Sequence, residues 1–311
     1  MNKGLLKFIF FLILLFIIGG MYYKYRITHS LEKQIEMFKI NNEAVQQRAV
    51  AYMVRQGKHS IPYLIEALSS EDTSVRINAV RALGRIDDPR VVDPLVSLLT
   101  DPYPDIQYEV MEALENRGKK IITRLLKSLE SPSSKTRART VELIGRIGDL
   151  TSKDIVEHAL TDPSAEVREQ AVIALRWIAK EESIDLILPL LDDPYTNVRM
   201  MVVFAFGEFK ENADARRGLE QALTNDDNQL REKAVQFLGE SNNPDVEEAI
   251  IPVLQDKDLK VRWAAAEALG KIGGERSLQA LRKHIVNKRE VEFVVSSAKK
   301  AIIRITERLH K

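Results

Sequence analysis

Two hydrophobic patterns divide the chain. From Phe8 to Ile18 eleven large apolar residues follow one another without a break, and Leu5 to Tyr23 carries only Lys7 as a charge. A run of this kind has no polar side, so it predicts a helix that is apolar all round. At 1.5 Å per residue it spans about 28 Å, close to the hydrocarbon thickness of a bilayer. Lys7 stands near one end, where its stem can carry the ammonium to the headgroups. Tyr22, Tyr23 and Tyr25 stand at the other end with Lys24 and Arg26, where an interfacial belt is expected. From about residue 40 the pattern changes. Apolar residues recur every third or fourth position and short polar turns interrupt them, which predicts amphipathic helices. No segment alternates with the period of a strand.

The second pattern is periodic on a longer scale. Val75-Arg76, Val167-Arg168, Val198-Arg199, Leu230-Arg231 and Val261-Arg262 recur with the same residues after them, and Val45-Gln46, Ile106-Gln107 and Thr136-Arg137 hold the same place. The second members of these pairs fall 30 to 32 residues apart, and a final copy starts at Val294 with Val295 in place of the arginine. Each unit reads as two helices. In one of them Val91–Leu99 is the first helix, Thr100-Asp101-Pro102 the turn, and Ile106–Arg117 the second helix; Asp162-Pro163 and Asp193-Pro194 repeat the turn chemistry. Along a second helix Val75, Ala79, Ala82, Leu83 and Ile86 make one face. The column of Val80 holds Val50, Met111, Val141, Val172, Val203, Val235 and Ala266 in the other copies and becomes Lys299 in the last. An apolar column implies packing on a neighbouring repeat, and a lysine at its end implies a repeat with no neighbour beyond it.

These residues resemble HEAT repeats, in particular the short repeats of the phycobilisome-lyase HEAT-like family, over residues 31–311. The resemblance implies an all-α fold: an α-solenoid, a right-handed superhelix of about nine helical pairs, behind one transmembrane helix. The domains expected are an anchor over residues 1–26 and a repeat body over residues 27–311. Lys24 to Ser30 reads as a short tether, and Ser30 as the N-cap of a first body helix, Leu31–Ile40. Uncleaved anchoring is the favoured reading of the first helix. A cleaved signal needs small residues before the cut, and Gly20 with Ile18 upstream is a poor version; a buried core helix is the third alternative. Lys3, Lys7 and the amino terminus slightly outweigh Lys24 and Arg26, which favours the body on the outer side.

Arg76, Arg137, Arg168, Arg199, Arg231 and Arg262 form a column. One reading is an anion-binding stripe. The preferred one is a structural ladder that bonds acids or carbonyls of adjacent turns, with Asp72, Asp162, Asp193, Asp227 and Asp258 nearby. Gly84, Gly145, Gly207, Gly239 and Gly270 suit close helix approach or helix ends. The resemblance puts the remaining side of the second helices, the columns of Ile77, Asn78, Arg81 and Arg85, on a concave surface. Early copies carry Arg48, Arg55, Arg81, Arg85, Arg139 and Arg146 there, interrupted by glutamates. The middle copies instead carry Ile173, Trp177, Met200, Met201 and Phe204, with Tyr108 and Trp263 in the Ile77 column of other repeats. Methionines and aromatics on an exposed side suit adaptable recognition of a protein or peptide partner. The alternative is that curvature buries this side as local core.

Composition narrows the chemistry. No cysteine is present, so thiol catalysis and Cys-ligated metals are excluded. None of the five histidines is followed by glutamate, and no two share a local helical face. Deoxyhypusine hydroxylases, on a similar scaffold, carry His-Glu metal pairs, which are missing here. No catalytic residue, metal or cofactor is expected. A phycobilin lyase-like activity is the alternative that the resemblance implies. The first 26 residues carry +4 against +1 for the whole chain, which leaves the body at −3. That balance disfavours nucleic-acid binding, which needs many net cationic contacts. The expected function is a membrane-anchored scaffold that binds a protein partner.

Overall fold

A computed structural model describes residues 3–241, 243–286 and 290–310, with side chains from Phe10 onward. The side chains of Lys7 and Phe8 therefore lie outside the described residues. The fold divides into two compact units, residues 1–143 and 144–311. Among the described residues there are helices and no strand. Unit 1 holds α1 (Lys3–Met37), α2 (Glu43–Gln56), α3 (Ile61–Ala67), α4 (Thr73–Gly84), α5 (Val92–Ser97), α6 (Pro104–Glu115) and α7 (Ile122–Leu129); α8 (Ser134–Ile147) runs across the division. Unit 2 holds α9 (Lys153–Ala159), α10 (Ala165–Ile178), α11 (Ile184–Ile187), α12 (Thr196–Glu208), α13 (Ala213–Ala222), α14 (Asn228–Leu238), α15 (Glu247–Ile250), α16 (Leu259–Ile272), α17 (Glu275–Ile285) and α18 (Glu292–Leu309). The even-numbered helices are the second helices of the repeats.

First helices are short and irregular for a reason written in their sequences. Pro189 and Pro252 fall inside them, and the chain tightens to 3₁₀ geometry over Leu188–Asp192 and Ile251–Gln255. A proline there removes an amide donor and crowds the preceding turn. The predicted helix Val91–Leu99 likewise appears as a 3₁₀ turn, Pro89–Val91, followed by α5. Second helices are longer because their apolar faces are complete. Val75, Ala79, Ala82, Leu83 and Ile86 are all buried. So is the whole Val80 column from Val50 to Ala266, while Lys299 is exposed.

α1 departs from expectation. No tether separates its apolar half from the first body helix, and Ser30 is not an N-cap. The helix is continuous from Lys3 to Met37. Neither proline nor glycine interrupts residues 21–37, and Leu31 and Phe38, both fully buried, dock its far end on unit 1. Ser30 Oγ instead meets Tyr52 Oη at 2.7 Å, and Tyr63 Oη donates to Thr28 Oγ1 at 3.0 Å. The stretch Phe10–Met37 is long and apolar enough to cross a membrane, and none of its apolar window is buried in the fold.

Neighbouring second helices approach closely where glycine meets alanine. A Cβ built on Gly239 would fall 2.7 Å from the Ala268 Cα, one on Gly145 would fall 2.7 Å from the Ala174 Cα, and one on Gly270 would fall 3.0 Å from the Ala301 Cα. In each case the obstacle is the next helix's backbone, which cannot turn aside. Substitution Gly239→Val is therefore expected to destabilise unit 2 by about 1–3 kcal/mol through overpacking. Thermal melting checks it, and Ala268→Gly in the same chain is expected to recover part of the loss.

Candidate partner-binding site

The turns before the second helices contain two polar positions that sequence alone does not separate. Four residues before the column arginine stands the N-cap. Asp72 accepts the Ser74 amide, Asp227 the Gln229 amide and Asp258 the Lys260 amide, each at 2.8 Å. Six residues before it stands a residue whose backbone carbonyl accepts the arginine's own Nη1. That residue is Ser70 for Arg76, Ser131 for Arg137, Asp162 for Arg168, Asp193 for Arg199, Asn225 for Arg231 and Asp256 for Arg262, at 2.7–2.8 Å.

The guanidinium turns its other edge to the following repeat. Arg168 grips Asp193 with two bonds of 2.7 and 2.9 Å, Arg231 grips Asp256 at 2.7 and 2.8 Å, and Arg262 grips Glu290 at 2.8 and 2.9 Å. Arg76 lies 3.4 Å from Asp101. Arg199, whose following turn carries neutral Asn225 in the equivalent place, lies 3.8 Å from Asp227. Asp193 and Asp256 thus each hold two arginines, one through the carbonyl and one through the carboxylate. Tyr103 and Tyr195, from the turns, cover Arg76 and Arg168 at 5.0 and 5.6 Å from ring centre to guanidinium carbon. Burial pushes the Asp193 and Asp256 carboxyls up, but the arginine hydrogen bond, a backbone amide from Tyr195 or Asp258 and the arginine charge together outweigh it and hold both below the usual carboxylate range. Glu290 is held down in the same way by Arg262, and burial lowers the neighbouring His284.

The Asn78 column is mixed: Arg48 is exposed, and Glu109, Arg139, Met201 and Lys233 are half-buried. Asn78, Ala264 and Ser297 are buried, and the Asn78 amide donates to the Ser74 carbonyl at 2.9 Å. The position two residues after the column arginine faces the position five after it in the preceding repeat. In unit 1 this juxtaposition is an ion pair, Arg81 Nε to Glu109 Oε1 at 2.9 Å. At the far end of unit 2 it is Ser297 Oγ donating to Glu267 at 2.5 Å. In α10 and α12 the same two positions are Ile173 and Met201, so a polar lane becomes apolar there.

The structure gathers five of the seven residues singled out for binding on α10 and α12. Trp177 is 42% exposed, while Ile173, Met200, Met201 and Phe204 are half-buried. Phe204 sits edge-to-face on Phe237 of α14, ring centres 5.7 Å apart. Trp263, on α16, stacks on Phe293 of α18 at 5.8 Å and borders a groove of about 210 Å³ lined also by Gln236, Glu240, Glu267 and Lys271. Tyr108 stands on α6 of unit 1, 64% exposed. Phe237 and Phe293 were not singled out from sequence. Phe237 had a legible signal: its column is alanine in six copies, and a ring fits there because Gly207 faces it. Among the described residues no cluster of three or more His, Asp or Glu could hold a metal ion.

The sequence profile of HEAT repeats matches residues 32–115, 122–207 and 216–303. The chain belongs to the HEAT-repeat family. Comparison with curated proteins returns no match. Among solved structures, a chain from a complex of Kap95p with RanGDP is similar at a TM-score of 0.57 and 14% identity, over 90% of this chain and 44% of that one. At that identity the likeness shows the fold. Human deoxyhypusine hydroxylase with glycerol gives 0.37 at 19% identity, over 83% of this chain and 98% of that one. The CpcE–CpcF complex of phycocyanin lyase from Nostoc sp. gives 0.36 at 21%, over 79% and 94%. These two superpose too loosely to bear on activity.

Two outcomes follow for the arginine ladder of these HEAT repeats. The Arg231 and Asp256 side chains are 5% and 11% exposed. Asp256→Leu strands a buried guanidinium and is expected to cost about 3–5 kcal/mol, whereas the paired change Arg231→Met with Asp256→Leu is expected to cost much less. Denaturant melts of the four chains in a double-mutant cycle check it. The lowered carboxyls also set a pH dependence. Their stabilisation is complete above the unfolded carboxylate value, about 4, and is lost as pH falls through the lower folded values. The melting temperature is expected to drop on acidification below about pH 4, with a shallower drop in Asp256→Asn.

Proposed function

We propose that the chain is a single-pass membrane scaffold that holds a protein or peptide partner on the open side of its second helices in unit 2. The observation that carries the reading is the switch from polar to apolar at α10 and α12. Positions that form an ion pair at Arg81–Glu109 and a hydroxyl contact at Ser297–Glu267 are here Ile173 and Met201, flanked by Met200, Phe204 and exposed Trp177. Methionine and aromatic side chains adapt to an apolar helix or extended segment, and a half-buried lane already partly ordered loses little entropy on binding. Trp177 is the anchor expected to dominate the energy, being large and reachable from solvent. The membrane part of the reading is supported by α1, whose apolar residues face outward, Phe16 at 84% exposure. Such a scaffold works by positioning its partner at the bilayer and needs no bond-making group of its own.

The test places a photo-crosslinking residue at Met200 of the full-length protein in its native membrane, with Glu66, exposed on α3, as control. A discrete adduct at Met200 alone is expected, and Trp177→Ser is expected to weaken it at least several-fold with an unchanged melting temperature. No adduct, or the same adducts at both sites, overturns the reading. A Trp177→Ser chain that melts early would instead make the lane part of the core.

A further inference from the structure

α1 does more than point one end of unit 1 at a bilayer. α2 runs back along it: the Gln46 amide reaches the Phe38 and Ile40 carbonyls at 3.1 and 3.0 Å, and six residues on Tyr52 meets Ser30. Continuing in the same direction, the turn Gly57–His59 comes level with Tyr25, about 8 Å further along the helix axis. The chain then returns past Thr28 through Tyr63. The α2–α3 turn therefore lies at the interfacial belt. The equivalent turns of the following repeats lie beside it. Lys58 is close enough to bear on Asp88, Arg117 donates to the Ile86 carbonyl at 2.7 Å, and Lys120 lies 4.0 Å from Asp87.

This edge of unit 1 is cationic. Its acids are engaged: Asp88 by Arg90 at 2.9 Å, Asp93 by Arg124 at 3.2 Å, and Asp87 by Lys120. Among the described residues Lys24, Arg26, Arg55, Lys58, Arg85 and Lys119, all exposed, have no carboxylate at ion-pair distance. Between the α4–α5 and α6–α7 turns a groove of about 510 Å³ is lined by Arg85, Arg117, Lys120 and Arg124, with Asp87 as its one acid. The opposite edge differs. Its turns carry Glu71, Asp72, Asp105 and Glu130 against Lys127 and Lys135. The edge that α1 aims at the membrane thus carries Arg55, Lys58, Arg85 and Lys119 beside Lys24 and Arg26, although residues 27–311 sum to −3.

We propose that this edge of unit 1 binds the anionic headgroups of the bilayer that α1 crosses, the groove between Arg85 and Lys120 receiving a lipid phosphate. The inference rests on the membrane reading of α1. Each lysine or arginine near an anionic surface adds to the attraction, which fades over a Debye length. Helix α1 is rigid through residue 37, so the edge is held within that range rather than sampling it. The consequence is a body pinned edge-on.

The absence of cysteine allows a clean test. A single cysteine at Asn116, exposed on this edge, carries a fluorophore in the full-length chain, reconstituted in nanodiscs containing nitroxide-headgroup lipid. A second chain labelled at Ser69, on the far edge, is the control. Quenching at Asn116 is expected to be several-fold stronger in phosphatidylcholine–phosphatidylglycerol discs than in phosphatidylcholine alone. It is expected to fall with salt and in Lys58→Glu/Arg85→Glu/Lys119→Glu, while Ser69 is indifferent to all three. Equal quenching at Asn116 in both lipids, or none in either, with the protein retained in the disc on gel filtration, overturns this inference and leaves the anchor standing. Protein that elutes apart from the disc overturns the anchor reading and this inference with it.

Discussion

The structure within each unit depends on how closely one second helix can lie against the next. A single helical pair of this length cannot bury its apolar face alone, so stability comes from stacking. The stack closes over a continuous apolar column, Val80 and its equivalents, and beside it a glycine of one helix meets an alanine of its neighbour with no room for another carbon. Once the helices are that close, the turns at their ends are close too, and the column arginine can span them. Asp193 and Asp256 receive one arginine on the carbonyl and another on the carboxylate, which joins successive turns into a chain of charge-assisted hydrogen bonds. Packing sets the distance, and the arginines fix the register.

The same continuity governs the first helix. A flexible tether would have left the apolar segment and the body independent. Leu31 and Phe38 bury one end of α1 in unit 1, and the backbone has no breaker between there and the outward-facing apolar run. Orientation is therefore passed from one to the other through helical hydrogen bonds. This is what gives the two edges of unit 1 different meanings, although both are rows of polar turns.

Much of this was legible in the chain. The period, the two-helix unit, the buried column and its end at Lys299 follow from side-chain type and spacing alone, because each copy states the same rule again. The candidate site was legible in part. Ile173, Trp177, Met200, Met201 and Phe204 stood out as apolar residues in columns that are otherwise polar. Their degree of exposure was not legible: only Trp177 stands clear, since Phe237 reaches across from α14 into the space left at Gly207. Asn78 misled for a related reason. An asparagine reads as solvent-facing, yet its side chain is buried and its amide is satisfied one turn back at Ser74.

The sequence by itself determined the repeat, the all-helical class, the apolar first segment and the residue types available at each position, because hydrophobic period and turn chemistry are local. Only the tertiary structure decided which aspartate caps a helix and which binds the preceding arginine, since both stand within three residues of each other and differ only in what a neighbouring repeat brings to them. It also decided which turns stand side by side on the edge of unit 1 that carries Lys58, Arg85 and Lys119. Those are consequences of residues some 30 positions apart meeting in space, and no local pattern carries that information.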